Sequence, residues 1–182
     1  FFLDSLYIED QKFRMLEHYL ISLTGYIKPY ESIQFPTLTD ATQDDRIKQD
    51  IEVFRSISND INSNGFPTIS EVGRRQAKCV VYSFIHAGDT SSINNHLNTI
   101  EELCRQGEAE WQHFVMLKDR YQRLTGRPQL YGTQYEYIDE SKTKMVLAPI
   151  DDLGAVNIRR VKAGMAKLTK NMIEEVWIKR ER

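Results

Sequence analysis

Four histidines, His18, His86, His96 and His113, are the side chains here that change charge near neutral pH and could move a proton. His86 stands out by position. It closes the apolar run Val80-Val81-Tyr82-Ser83-Phe84-Ile85 and is followed by Ala87, Gly88 and the carboxylate of Asp89. An imidazole at such a helix end suits general acid or base work, and suits equally a structural role against nearby carbonyls. Cys79 lies seven residues earlier, about 10 Å away along a helix axis, so a contacting Cys–His nucleophile pair within this helix is excluded. Tyr82, one turn before His86, is within reach. The second histidine of a helical metal-binding pair is missing, and no metal is expected.

A second concentration of polar chemistry is Gln129-Leu130-Tyr131-Gly132-Thr133-Gln134. In a strand Gln129, Tyr131 and Thr133 would share one face, and Gly132 would let a ligand or another segment approach the backbone closely. Charged pairs occur elsewhere: Asp10 and Arg14, four residues apart on the flank of the first helical run, and Asp119-Arg120 just before the motif. Arginines of this kind can clamp a carboxylate or phosphate while amides read its polar groups. No phosphate-binding loop, dinucleotide fingerprint or serine-hydrolase elbow is present, so no cofactor is expected.

The elements that must position these residues follow from periodicity. Apolar residues at three- and four-residue steps predict helices over Leu6–Ile27, over Ile47, Ile51, Phe54, Ile57 and Ile61, and from the capping signal Thr68-Ile69-Ser70-Glu71 through Ile85. Further helices are expected from Asp89 to Gly107 and from Trp111 to Leu124, then a short one after Asp151-Asp152 and a last one from Met165 to Trp177. Tyr30 to Leu38 reads as a loop, and Asp40 as the cap of the helix after it. Leu130–Ile138 and Lys144–Ile150 are rich in β-branched and aromatic residues and predict a β-hairpin. The expected fold is mainly α: a single-domain bundle, 1–182, of about six or seven helices with one hairpin near residues 130–150.

At 182 residues the chain can bury a full core without staples, and a 41% hydrophobic, 27% charged composition is ordinary for a soluble protein. No apolar run is long enough for a membrane span. A net charge of −2 offers no footprint for nucleic acid. Charge is unevenly spread: residues 31–62 hold seven acidic and three basic residues, a balance of −4, whereas residues 156–182 hold eight basic and three acidic, +5. Cys79 and Cys104 sit among apolar neighbours and read as two buried thiols. A start at Phe1 fits a trimmed cytoplasmic chain or an exported one whose signal segment is removed.

Taken in order, these residues resemble a bacterial family, domain of unknown function family 6624. Its pattern runs through D-Q-x-x-R, G-[WFY]-P, H-A, D-R, Q-x-Y-G-T-Q and R-R. The counterparts here are Asp10-Gln11-Lys12-Phe13-Arg14, Gly65-Phe66-Pro67, His86-Ala87, Asp119-Arg120, Gln129–Gln134 and Arg159-Arg160. Where the pattern has a glutamine before the histidine, this chain has Ile85. The resemblance names no reaction. Three readings stay open: an enzyme with His86, Tyr131 and Gln134 as its catalytic groups acting on a small polar or anionic substrate; a binding module whose arginines and amides hold such a ligand without turnover; and a buried polar network that pins the hairpin to the helices.

Overall fold

The computed structural model describes residues 43–140, 144–174 and 176–178. The helix expected over Leu6–Ile27, the loop Tyr30–Leu38, the Asp40 cap and the candidates Asp10, Gln11, Arg14 and His18 lie outside the described residues. The described residues fall into two compact units, one ending at Gly65 and the other beginning at Phe66. In the first, α1 (Gln43–Asn64) buries Asp50, Val53, Ile57 and Ile61, while Ile51 is 42% exposed. The three- and four-residue step is as expected, but the buried stripe passes through Asp50 and Val53 instead of Ile51. Gly65, at φ 86°, ends the helix by donating its N–H to the Ile61 carbonyl.

The second unit opens with the capping box: Thr68 Oγ1 accepts from the Glu71 N–H, and the Glu71 carboxylate accepts from the Thr68 N–H. The helix it starts is not continuous. Gly73, at φ 88° and ψ 159°, breaks it into α2 (Ile69–Val72) and α3 (Arg74–Ala87), because only glycine adopts that conformation without strain. Asp89 caps α4 (Thr90–Gln106) through Ser91 N–H, and α5 (Trp111–Leu124) follows. Both α3 and α4 pack on α5. Val80, Phe84, Ile93, Ile100, Phe114, Val115 and Leu117 are essentially sealed from solvent, each burial stabilising by roughly 1.5–3 kcal/mol. Cys79 and Cys104 are buried and not joined in a disulfide, and burial pushes the Cys104 thiol up to about 12.

The β structure is shorter than expected. β1 (Tyr135–Tyr137) pairs antiparallel with β2 (Lys144–Leu147), Tyr135 opposite Leu147 and Tyr137 opposite Met145. Residues 129–134 are not a strand. After Asp152 caps α6 (Leu153–Lys162), the expected helix from Met165 to Trp177 shrinks to α7 (Lys170–Glu174), and β3 (Trp177–Ile178) pairs with β2 as a third strand. Leu147, Val156 and Leu168 form a small core of their own with Ile150, Leu153 and Ile173 against it. The architecture is mainly α, with seven helices among the described residues and one antiparallel hairpin extended by β3. No helix among those residues is long and apolar enough to cross a membrane.

Candidate functional site

Asp119 is the pivot of the polar motif. It lies on α5 between turns that bury Val115 and Leu117, and its carboxylate has no solvent exposure. Four donors converge on it: Leu130 N–H at 2.8 Å and Tyr131 N–H at 3.0 Å to Oδ1, then Thr133 N–H and Thr133 Oγ1, both at 2.9 Å, to Oδ2. Burial pushes the Asp119 carboxyl upward, and the bonds from Thr133, Tyr131 and Leu130 oppose that. A concave run of N–H groups of this sort is an anion-binding nest. Here the chain's own carboxylate fills it.

Gln129 completes the wrap. Fully buried, it accepts Thr133 and Gln134 N–H at Oε1 and donates Nε2 to the carbonyls of Gln134 and Ala148. Its backbone is tied to Pro149 and Asp151. The opposite side of the loop is held through carbonyls: Arg160 Nη1 donates to Tyr131 O at 2.7 Å and Gly132 O at 3.4 Å, and its Nε to Ala166 O at 2.6 Å. Arg159 Nη2 donates to Asp151 at 2.8 Å and its Nη1 to Leu130 O at 3.4 Å. Acidic side chain to amides and basic side chains to carbonyls is how a buried irregular loop satisfies its backbone. The expectation that Gln129, Tyr131 and Thr133 share a strand face is overturned for the same reason: Gln129 makes only an isolated bridge to Ile150, and the N–H groups of Tyr131 and Thr133 are drawn into side chains, leaving no ladder.

A family model described as a family of unknown function, DUF6624, matches residues 21–177. The chain belongs to that family. Comparison with curated proteins and with solved structures finds no match. The DUF6624 match begins after Asp10–Arg14 and takes in the whole clamp from Asp119 to Arg160.

The other candidates in the DUF6624 region are His86 and Arg120 on the helices and Tyr131 and Gln134 in the loop itself. The His86 ring stacks on Tyr82 at 5.6 Å. Gln134 Nε2 reaches Met116 O at 3.4 Å. Burial raises the Tyr131 phenol, with Glu101 and then Asp119 adding to it. Arg120 differs from Arg159 and Arg160. Its Nε is enclosed without a hydrogen-bond partner, and no ion pair to it is found among the described residues. Burial, then Arg123, push its pKa down. A Cβ added at Gly88, two residues past His86, would lie 3.7 Å from Arg120 Nη2. No group of metal-ligating side chains occurs among the described residues.

One histidine that the sequence set behind His86 is more closely held. His113, with 7% of its side chain exposed, places Nδ1 3.1 Å from Glu110 and meets the Tyr82 ring edge-on at 5.2 Å. Only the three-residue spacing of Glu110 and His113 could have signalled it.

Proposed function

We propose that this domain binds a small anionic ligand at the C-terminal end of α3, with Arg120 taking the charge, His86 beside it able to exchange a proton, and Gln134 reading a polar group. The observation that carries this is the enclosed, unpartnered Nε of Arg120. Arg120 is half-buried, and a guanidinium N–H cut off from water without an acceptor is costly, a cost that an anionic ligand would remove. At about 100° per residue, Arg120 falls between the Met116–Asp119 side of α5, covered by the loop, and the Leu124 side, which faces Gly88. The clamp of Asp119, Gln129, Thr133, Arg159 and Arg160 is then the frame of the site, since its polar atoms are spent on backbone. A bound oxyanion would sit next to a histidine, an arrangement open to acid–base chemistry.

Thermal melts in phosphate, sulfate and short carboxylates test this together with Arg120→Met. The expected result is a higher Tm of the parent chain in at least one anion, no such shift in the variant, and a variant at least as stable as the parent without anion. An Arg120→Met chain that melts lower than the parent in plain buffer would mean that the guanidinium is structural, and the proposal fails.

A further inference from the structure

Among the described residues the two most exposed large apolar side chains both belong to α6: Ile158 at 61% and Val161 at 54%. Three positions apart, they share one helix face. The opposite face carries Val156 and Arg160, which are buried against the small core and the motif loop. Lysines bracket the exposed pair. Lys162, one turn after Ile158, flanks it on one side. On the other side the chain turns back through Gly164, and Asn157, one turn before Val161, bonds the backbone of Leu168 at 2.7 and 3.0 Å, which brings Lys167 there. Lys170 opens α7 two residues further on. All three lysines are exposed, and none has an ion pair among the described residues. The carboxylates at the start of α6 are committed, Asp152 to the Ala155 N–H and Asp151 to Arg159.

We propose that the outer face of α6 docks on an anionic phospholipid surface, with Ile158 and Val161 entering the boundary between headgroups and acyl chains and Lys162, Lys167 and Lys170 meeting headgroup phosphates. Apolar side chains set between cations are the chemistry that such a boundary takes. Shape separates this partner from a peptide. The outside of a helix is a ridge, whereas a docked peptide needs a groove or pockets for its side chains. The lysine stems can lie along the apolar pair while their ammonium groups reach the phosphates. The residues are also held in place beforehand, because Arg160 of the same helix ties Tyr131 O and Ala166 O. A balance of +5 over residues 156–182 gives the partner the same sign. The helix lies along the surface and does not cross it. This face shares no side chain with the site at Arg120 and stands or falls separately.

The test sediments the full chain with vesicles of phosphatidylcholine alone and with vesicles that are roughly one third phosphatidylglycerol. Binding to the anionic vesicles is expected to be at least about tenfold tighter, and to weaken about fivefold in each of Lys162→Gln and Lys167→Gln. The double variant Ile158→Ser/Val161→Ser should lose at least about tenfold. Both side chains are more than half exposed, so the fold does not depend on them. Arg120→Met should bind vesicles as the parent does. Equal binding to both kinds of vesicle, no binding to either, or a double variant that binds like the parent would each overturn the assignment. Lysine-dependent binding to soluble polyglutamate without binding to vesicles would make the partner an acidic protein and overturn it too. So would a dimer in solution that the double variant disperses, since the face would then be a contact between copies.

Discussion

A carboxylate with no exposure persists at Asp119 because four donors meet it, three of them backbone amides of residues 130–133. Replacing it with alanine leaves those amides without partners inside the fold. Asp119→Ala should therefore cost about 3–5 kcal/mol, the usual penalty for breaking a buried charged network. Asp119→Asn should cost less, since one amide oxygen still accepts while its NH₂ faces donors. Chemical unfolding reads both; a loss below about 1 kcal/mol for Asp119→Ala would show that the loop holds its shape without the clamp. Residue types and order drew attention to Asp119, Gln129 and Arg160 as ligand-binding candidates. They could not say that these groups face inward, because whether a polar side chain meets a ligand or a backbone amide depends on chain segments up to about thirty residues away, such as Arg160 and Tyr131. His113 was not told apart from the other histidines for a related reason: its meaning lies in Tyr82, on another helix.

At the level of elements, most helix ends were legible, since caps are local chemistry: Thr68 with Glu71, Asp89, Gly107 and Asp152 act within a few residues of themselves. The hairpin's first strand was not. Leu130 to Gln134 have strand-like composition, but Gly132 sits at φ 67° and the chain curls around Asp119. An added Cβ there would come within 2.6 Å of Leu168 Cδ1 and 3.3 Å of Ile150 Cγ2. Gly132→Ala should thus destabilise by about 1–3 kcal/mol through strain and overpacking together. It should also loosen the clamp, seen as faster hydrogen exchange at Thr133 and Gln134. An alanine variant as stable as the parent would mean that the turn relaxes at little cost. The break at Gly73 follows the same rule: a glycine inside a helical pattern is neutral in sequence and decisive once its φ is positive.

For the molecule as a whole, pH reports on two histidines. Burial depresses the pKa of His96, which lies against Phe66 and Phe84, and of His113, where Glu110 opposes the shift and Lys78 adds to it. Both bind a proton more readily unfolded than folded. Their stabilising share is complete above the unfolded histidine pKa and is lost as pH falls through about 6.5. Tm should drop on acidification from about pH 7.5 to 5.5, and drop less steeply in His113→Gln. A Tm that rises over this window would contradict the sign.

What the sequence determined by itself is the class and the cast: a mainly helical chain with a hairpin near residues 130–150, the capped helix starts, and a motif shared with DUF6624. Those features rest on interactions between near neighbours. Tertiary structure alone decided the roles. It turned Asp119, Gln129 and Arg160 into the frame of a loop, left Arg120 enclosed with an unpartnered Nε, and set His113 between Glu110 and Tyr82. The reason is physical: a side chain's role is set by the desolvation and partners it meets after folding, and those come from residues distant in the chain.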